Sequence, residues 1–459
     1  MLDQLLAPDV KSLLEEGKFE DILDFFKESH PTEIAEVLTG LKPEEALEIL
    51  RHFDDQTFAD VFRELPTAFQ VDTSELLDKK DLAKLIMRLD PDDRVDLLKA
   101  IPQERFESVM PILAQREREN IKQLAQYAEG TAGSIMTTQY IALNQDLTVR
   151  EALERIRLEG SEAKTVYTIF AVDKDRKLKG TVSLGELILA APSKKLSEIM
   201  DTQVQSVYAL NDREDAVYKF SRYDLVALPV VDSDEVLVGI ITHDDVIDVI
   251  EQERTEDIER FMAITGKHEN TAYLHTSIWT HFKHRVGWLI ILAVMGLISG
   301  AVLQSFQETL TSLMILAFYM PMLADTGGNT GSQSATVIVR ALALKEIMPG
   351  DAFKVLWKEL RVALLLGLVL AALAFIRVLF TGSTISLPGT VNILDVGTAI
   401  AIALGIQVVS ATIIGALLPL GAAALGADPA LIASPALTTI VDITGLLIYF
   451  TTARMILHI

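Results

Sequence analysis

The chain has 459 residues, half of them hydrophobic, a formal net charge of −23 and no cysteine. Disulfides, thiolate metal sites and a cysteine nucleophile are therefore excluded. The charge is unevenly spread: residues 1–270 carry 32 Lys/Arg against 56 Asp/Glu, and residues 271–459 carry nine against eight. An acidic soluble half thus precedes a nearly neutral, apolar half. Nucleic acid, whose phosphates need basic side chains, is excluded as a partner, whereas cations suit such a surface. The opening MLDQLLAPDV has neither a basic n-region nor an apolar core. No signal peptide is expected, and the acidic half is expected in the cytosol.

Residues 1–130 read as an all-α domain. Apolar residues recur at helical spacing, as in Ile34, Val37, Leu38 and Leu41. Helices restart at prolines, three of them followed directly by an acid pair or a Thr-Glu: Pro31-Thr32-Glu33, Pro43-Glu44-Glu45 and Pro91-Asp92-Asp93, with Pro102-Gln103-Glu104 as a fourth case. Proline fits the first helical turn, and carboxylates there complement the helix dipole. The repetition predicts stacked helical hairpins in a small superhelix. Each acid can be read as a helix cap, and the whole set as an electrostatic field.

Residues 131–245 contain one unit twice. Ser134-Ile135-Met136-Thr137-Thr138 returns as Glu198-Ile199-Met200-Asp201-Thr202, and Gly180-Thr181-Val182-Ser183 returns as Gly239-Ile240-Ile241-Thr242. Strand-rich runs before each glycine alternate with helical ones. The pattern resembles a tandem pair of cystathionine-β-synthase (CBS) domains, an α/β module that binds adenine nucleotides or ions. The resemblance implies that Thr242 and Asp245 would contact a nucleotide. The first repeat, Ser183-Leu184-Gly185-Glu186, lacks the matching acid. Asp173-Lys174-Asp175 and Asp232-Ser233-Asp234 lack the glycine and terminal glutamate of a calcium loop and read as turns.

Val246–Thr265 predicts one acidic connecting helix within residues 246–270. His275, His281 and His284 follow it. They fit either a transition-metal site or, with Trp279 and Trp288, a membrane-interface belt.

Residues 271–459 predict five membrane spans: Val286–Phe306, Leu310–Leu344, Val355–Phe380, Ile393–Ala424 and Leu431–Leu457. As a single helix the second would run roughly 52 Å, against a hydrocarbon core of roughly 30 Å. A break is therefore expected at Asp325-Thr326-Gly327-Gly328-Asn329-Thr330-Gly331-Ser332-Gln333. Two readings fit this break, a lined pathway and a surface loop. Lys and Arg flank the first span on its N-terminal side and fill the connection between the second and third. The N-terminal half is thus placed in the cytosol and the C-terminus outside. Asp442 falls in the middle of the last span, where a carboxylate must find a cation, a proton or a hydrogen bond. Asn329, Thr438, Thr439, Ser434 and the carbonyls of Gly327 and Gly328 supply oxygens for a hard cation that keeps part or all of its water.

The order of parts is similar to the MgtE family of magnesium channels. The similarity is carried most specifically by Gly327–Gln333 and by Asp428-Pro429-Ala430 through Asp442-Ile443-Thr444-Gly445. It implies a multidomain membrane protein with a cytosolic superhelical N domain, tandem CBS domains, a connecting "plug" helix and a five-span pore domain. It further implies a homodimer in the cell membrane whose paired Asp442 side chains hold hydrated Mg²⁺. Cytosolic Mg²⁺ would close the pore by bridging Asp90 and Asp93 of the N domain; Asp212, Glu214, Asp224, Asp245 and Asp248 of the CBS pair; and Glu253, Glu256 and Asp257 of the plug. ATP would be a modulator. The rival readings are a divalent-cation transporter coupled to Na⁺ or H⁺, and a membrane-anchored sensor that moves no ion. No phosphate-cradling loop, nucleophile motif or metalloprotease signature suggests an enzyme.

Overall fold

The computed structural model describes residues 2–264, 266, 276–382, 391–430 and 435–458. They form two compact units, one holding the described residues up to Glu253 and the other those from Arg254 onward.

The first unit begins with ten α-helices among the described residues. α1 (Leu2–Glu15), α3 (Pro31–Thr39), α5 (Asp55–Arg63), α7 (Lys79–Arg88) and α9 (Gln103–Val109) touch in series. α4 (Pro43–Leu50), α6 (Thr67–Leu76), α8 (Pro91–Ala100) and α10 (Gln115–Leu124) form a second series. This two-layered stacking is the superhelix the sequence predicts. Proline opens α3, α4 and α8 as expected, but Pro102 stands one residue before α9 as its N-cap.

Each CBS repeat is a three-stranded sheet with the same topology. In the first, β1 (Ala142–Asn144) runs parallel to β2 (Thr168–Val172), and β2 runs antiparallel to β3 (Leu178–Ser183). In the second, β4 (Val207–Tyr208), β5 (Ala227–Val231) and β6 (Leu237–Thr242) repeat that order. The repeated sequence anchors interlock reciprocally. Gly180 of the first repeat lies against Met200, and Gly239 of the second lies against Met136, so closely that a Cβ at either would collide with sulfur. The Asp173 and Asp232 carboxylates accept backbone N–H bonds within their own β-turns, as expected of turns rather than calcium loops. One apolar core runs from Leu38, Phe62 and Leu97 of the helical array into Met136, Leu228 and Ile241 of the CBS pair.

The connecting helix α14 is His243–Phe261, three residues earlier at its start than expected. It follows directly from β6, with Asp244 and Asp245 in its first turn. It closes where Ala263 turns left-handed (φ +54°) and the Ile264 amide bonds back to Glu259.

In the second unit, α15 (Ile278–Ser305), α18 (Ala352–Gly382), α19 (Ile393–Ala424) and the C-terminal helix (Pro435–Leu457) are long and apolar enough to cross a membrane. These are four of the five expected spans. The second expected span differs. Its break lies upstream of the glycine motif, where α16 (Gln307–Ser312) gives way to a 3₁₀ turn at Met314–Tyr319. α17 (Met320–Ala343) then runs as one helix straight through Gly327–Gln333. The Tyr449 hydroxyl donates to the Leu316 carbonyl over 2.8 Å, supplying a partner where the helical ladder is interrupted. α17 is long enough to span, and its polar motif is what sets it apart from the other four.

Candidate ion pathway and regulatory acids

The glycines of α17 serve close packing. A side chain on Gly415 of α19 would strike the Gly331 carbonyl, and one on Gly331 would lie 3.1 Å from the Ala411 carbonyl. Gly327 faces Gln407 and Val441, and Gly328 faces Thr438. The roughly 1 kcal/mol that each glycine costs a helix is offset by this contact. The expected unwound carbonyls therefore do not form: Gly327 and Gly328 are helical, and the Gly327 carbonyl accepts from the Thr330 hydroxyl at 3.1 Å.

Thr438 and Asp442 are one turn apart and share a face of the C-terminal helix. Thr438 is exposed and Asp442 half-buried, so this oxygen-bearing face, flanked by Gly328, stays open in the single chain. Asn329 is also exposed, and its amide donates to Asp325 at 3.1 Å. Ser434 and His275 lie outside the described residues. Sequence reading missed Glu359 of α18, a buried carboxylate that accepts from Ser334 of α17 at 2.8 Å. It also missed Gln407, completely buried in α19. The sign of Gln407 was a polar residue within an apolar run, whereas Glu359, between Lys358 and Arg361, gave none.

In the first unit, the start of α8 meets the start of α14. Lys164 places its ammonium 2.6 Å from Asp90 and 3.0 Å from Asp244, and Arg63 lies 3.2 Å from Asp90. The Asp245 carboxylate accepts from the Thr242 amide at 3.1 Å and lies 2.7 Å from its hydroxyl. Burial, then repulsion from Asp90, raises Asp93 to about 7. Burial, then Asp93 and Asp245, pushes Asp92 well above the carboxylate range, and its Oδ1 is buried without a partner. Asp245 and Asp248 are raised by burial, Asp248 further by Asp245. Asp244 goes the other way: burial raises it, but Thr242 and Lys164 together hold it below the usual value. Asp93 thus feels Asp90 and Asp245, and Asp248 feels Asp245. Asp92 and Asp244 were missed because each stands beside a like acid, and Lys164 because only the fold brings it to Asp90 and Asp244.

The remaining expected acids are dispersed. Asp212 caps α13 (Arg213–Arg222) by accepting from the Glu214 amide at 2.9 Å, and Glu214 is exposed. Glu253 pairs with Arg213 at 2.5 Å. Glu256 pairs with Arg260, which also holds Asp428 at 2.6 Å. Asp257 is exposed. Among the described residues of one chain, no three acidic or histidine side chains are close enough together to hold a bare metal ion.

A cavity of about 550 Å³ opens between the CBS repeats, with Asp224 in its wall. It lies at the Ser183–Glu186 edge of the first repeat. The expected nucleotide pair differs: Thr242 is buried, and its polar atoms face Asp244 and Asp245. Glu186, Asp201 and Asp224 line the cavity, with no Lys or Arg among its walls.

Family models match three parts of the chain: a divalent cation transporter domain over residues 320–452, an MgtE intracellular N domain over 29–130, and CBS domains over 132–193 and 196–252. The magnesium transporter MgtE of Thermus thermophilus is 36% identical over 460 residues, covering all of both chains. This chain belongs to the MgtE family. The MgtE of Bacillus subtilis is 30% identical over 447 residues, 97% of this chain and 96% of that one. A solved cytosolic domain of the Mg²⁺ channel MgtE in complex with ATP is 34% identical, with a TM-score of 0.50, and covers 53% of this chain and 100% of that one. The MgtE membership makes this a membrane transporter with cytosolic N-terminal domains, and Mg²⁺ transport is what it supports.

Proposed function

We propose that the chain forms a homodimeric Mg²⁺ channel of the cytoplasmic membrane. Its pathway follows the two-fold axis and is lined by Asp442, Thr438 and Asn329 beside Gly327 and Gly328. Five spans, α17 among them, put the C-terminus outside. The observation that carries this reading is the open Thr438–Asp442 face beside Gly328. One carboxylate per subunit is too little to strip Mg²⁺ of its water, which the ion sheds reluctantly. Two, facing each other, hold it hydrated and let it leave.

The gate is electrostatic. Residues 1–270 hold 24 more acidic than basic side chains. The upward shifts of Asp92, Asp93, Asp245 and Asp248 support this reading, placing carboxylates close together at the junction of α8 and α14. Cytosolic Mg²⁺ screens this repulsion, with Asp90, Asp212, Glu214, Asp224, Glu253, Glu256 and Asp257 contributing, and favours the compact, closed arrangement. The response is steep only if several such sites prefer that state. The cavity between the CBS repeats is where an adenine nucleotide would act as modulator.

Mg²⁺ uptake into liposomes carrying the purified protein tests the pathway. Asp442→Asn is expected to lower uptake by about a hundredfold or more while the protein still elutes as the wild type does. Uptake at the normal rate would place the pathway elsewhere. A second reading, coupling to H⁺, draws on the buried Glu359. Uptake that tracks an imposed pH gradient would favour it over a channel.

A further inference from the structure

Gln407 stands midway along α19, and its side chain is completely buried. Its amide nitrogen donates to the Val441 carbonyl over 3.0 Å. That carbonyl belongs to the residue immediately before Asp442, and the Thr444 hydroxyl lies 3.1 Å from it. The same amide lies between glycines of two different helices. A Cβ on Gly327 of α17 would run into Nε2, and a Cβ on Gly445 of the C-terminal helix would come within 2.5 Å of it. One side chain thereby accounts for a glycine in each of the two motifs singled out in the sequence.

The other end of the amide is the telling part. Oε1 is buried without a hydrogen-bond partner. Turning the amide over would set oxygen against the Val441 carbonyl, so the observed orientation is the one the geometry allows. Leucine or methionine would fill this volume without leaving a buried acceptor unsatisfied. Packing alone therefore does not explain a glutamine here.

We propose that Gln407 is a positioning residue for ion passage: it ties α19 to the C-terminal helix at the level of Asp442, packed against Gly327 of α17, and so fixes where that carboxylate presents itself. This rests on the reading of Asp442 as the pore carboxylate. Gln407 touches no ion. It acts through the Val441 carbonyl and the two glycines.

The test uses the full-length protein in liposomes, measuring uptake against Mg²⁺ concentration and in competition with Ca²⁺. Gln407→Leu keeps the volume and removes the bond. It is expected to raise the half-saturating Mg²⁺ concentration by about tenfold, the order expected of a small misplacement of a key group, and to narrow the preference for Mg²⁺ over Ca²⁺. Half-saturation and preference both within twofold of wild type would overturn the proposal. Should Gln407→Leu fail to assemble, the pair Gln407→Ala with Gly445→Ala fills the space differently and is read the same way: wild-type preference overturns the proposal, and lost preference supports it. Asp442→Asn run in parallel separates the two claims. If it transports normally, the pore reading fails and this proposal with it. If it is inactive while Gln407→Leu is normal, only the positioning role fails.

Discussion

The starts of α4 and α8 are written almost alike, Pro43-Glu44-Glu45 and Pro91-Asp92-Asp93, yet their acids behave oppositely. Glu45 accepts from the Lys42 amide at 3.0 Å and pairs with Lys11 at 2.9 Å. The Lys42 amide bond, then Lys11, holds it below the ordinary glutamate value. Asp92 and Asp93 are half-buried near Asp90 and Asp245, and both are raised. The first pair stabilises a helix end. The second crowds acids together, and on the proposed gate it is this crowding that a divalent ion would relieve. What separates them is the partner brought up by the fold, since α8 meets the start of α14 and α4 does not. One sequence pattern can thus hold carboxylates shifted in opposite directions.

The comparison predicts a large difference in gating. Asp92→Asn with Asp93→Asn is expected to raise the cytosolic Mg²⁺ needed to halve the channel current by about tenfold, as each lost site removes part of the bias toward the closed state. Glu44→Gln with Glu45→Gln is expected to leave it within about twofold. Patch recordings on the two double variants decide the matter, and equal shifts would erase the distinction drawn here.

A pH effect of intermediate size follows from Asp93. Its carboxyl is raised to about 7 in the folded protein, while in the unfolded chain it titrates near the usual 3.8. Between these values the folded state binds more protons than the unfolded one, so stability contributed by this group falls as pH rises and levels off above about 7. In chelator, the full-length protein in detergent should unfold at a lower temperature at pH 8 than at pH 6. Mg²⁺ should close that gap, and Asp93→Asn should reduce it. A gap of undiminished size in the variant would assign the effect to other groups.

Legibility in the sequence followed the range of the interaction involved. Pro31, Pro43 and Pro91 announced helix starts because a first-turn proline is a local matter, and the repeated Gly180 and Gly239 marked two equal β-units for the same reason. The reciprocal seating of Met200 on Gly180 and Met136 on Gly239 was not visible, being a contact between units. Gly327–Gln333 predicted a break because glycine disfavours helices. The structure keeps the helix, since Gly331 accepts Gly415 at close range and Gly327 makes room for Gln407. The actual break, Met314–Tyr319, is apolar and leaves no mark in composition. Asp442 stood out as an acid in an apolar run. Lys164 did not, because only the fold carries it from a loop to Asp90 and Asp244.

The smallest expected effect lies on the capping side of the comparison. Glu45→Ala removes the side chain that satisfies the Lys42 amide at the start of α4 and also loses Lys11, an ion pair at the surface where such pairs contribute little. Loss of a helix-start bond of this kind costs about 1 kcal/mol. Thermal unfolding of the full-length protein should show a modest drop of the same size with and without Mg²⁺, because the exposed start of α4 holds no site for the ion to fill. Asp92→Asn should behave in the opposite sense. It removes the charge of a carboxyl crowded by Asp93 and Asp245, so in chelator at pH 8 it should stabilise the protein, while shrinking the further gain from Mg²⁺. A Glu45→Ala deficit that Mg²⁺ repaired would mean that the acids at α4 also serve the ion, and the contrast between the two helix starts would then be one of degree.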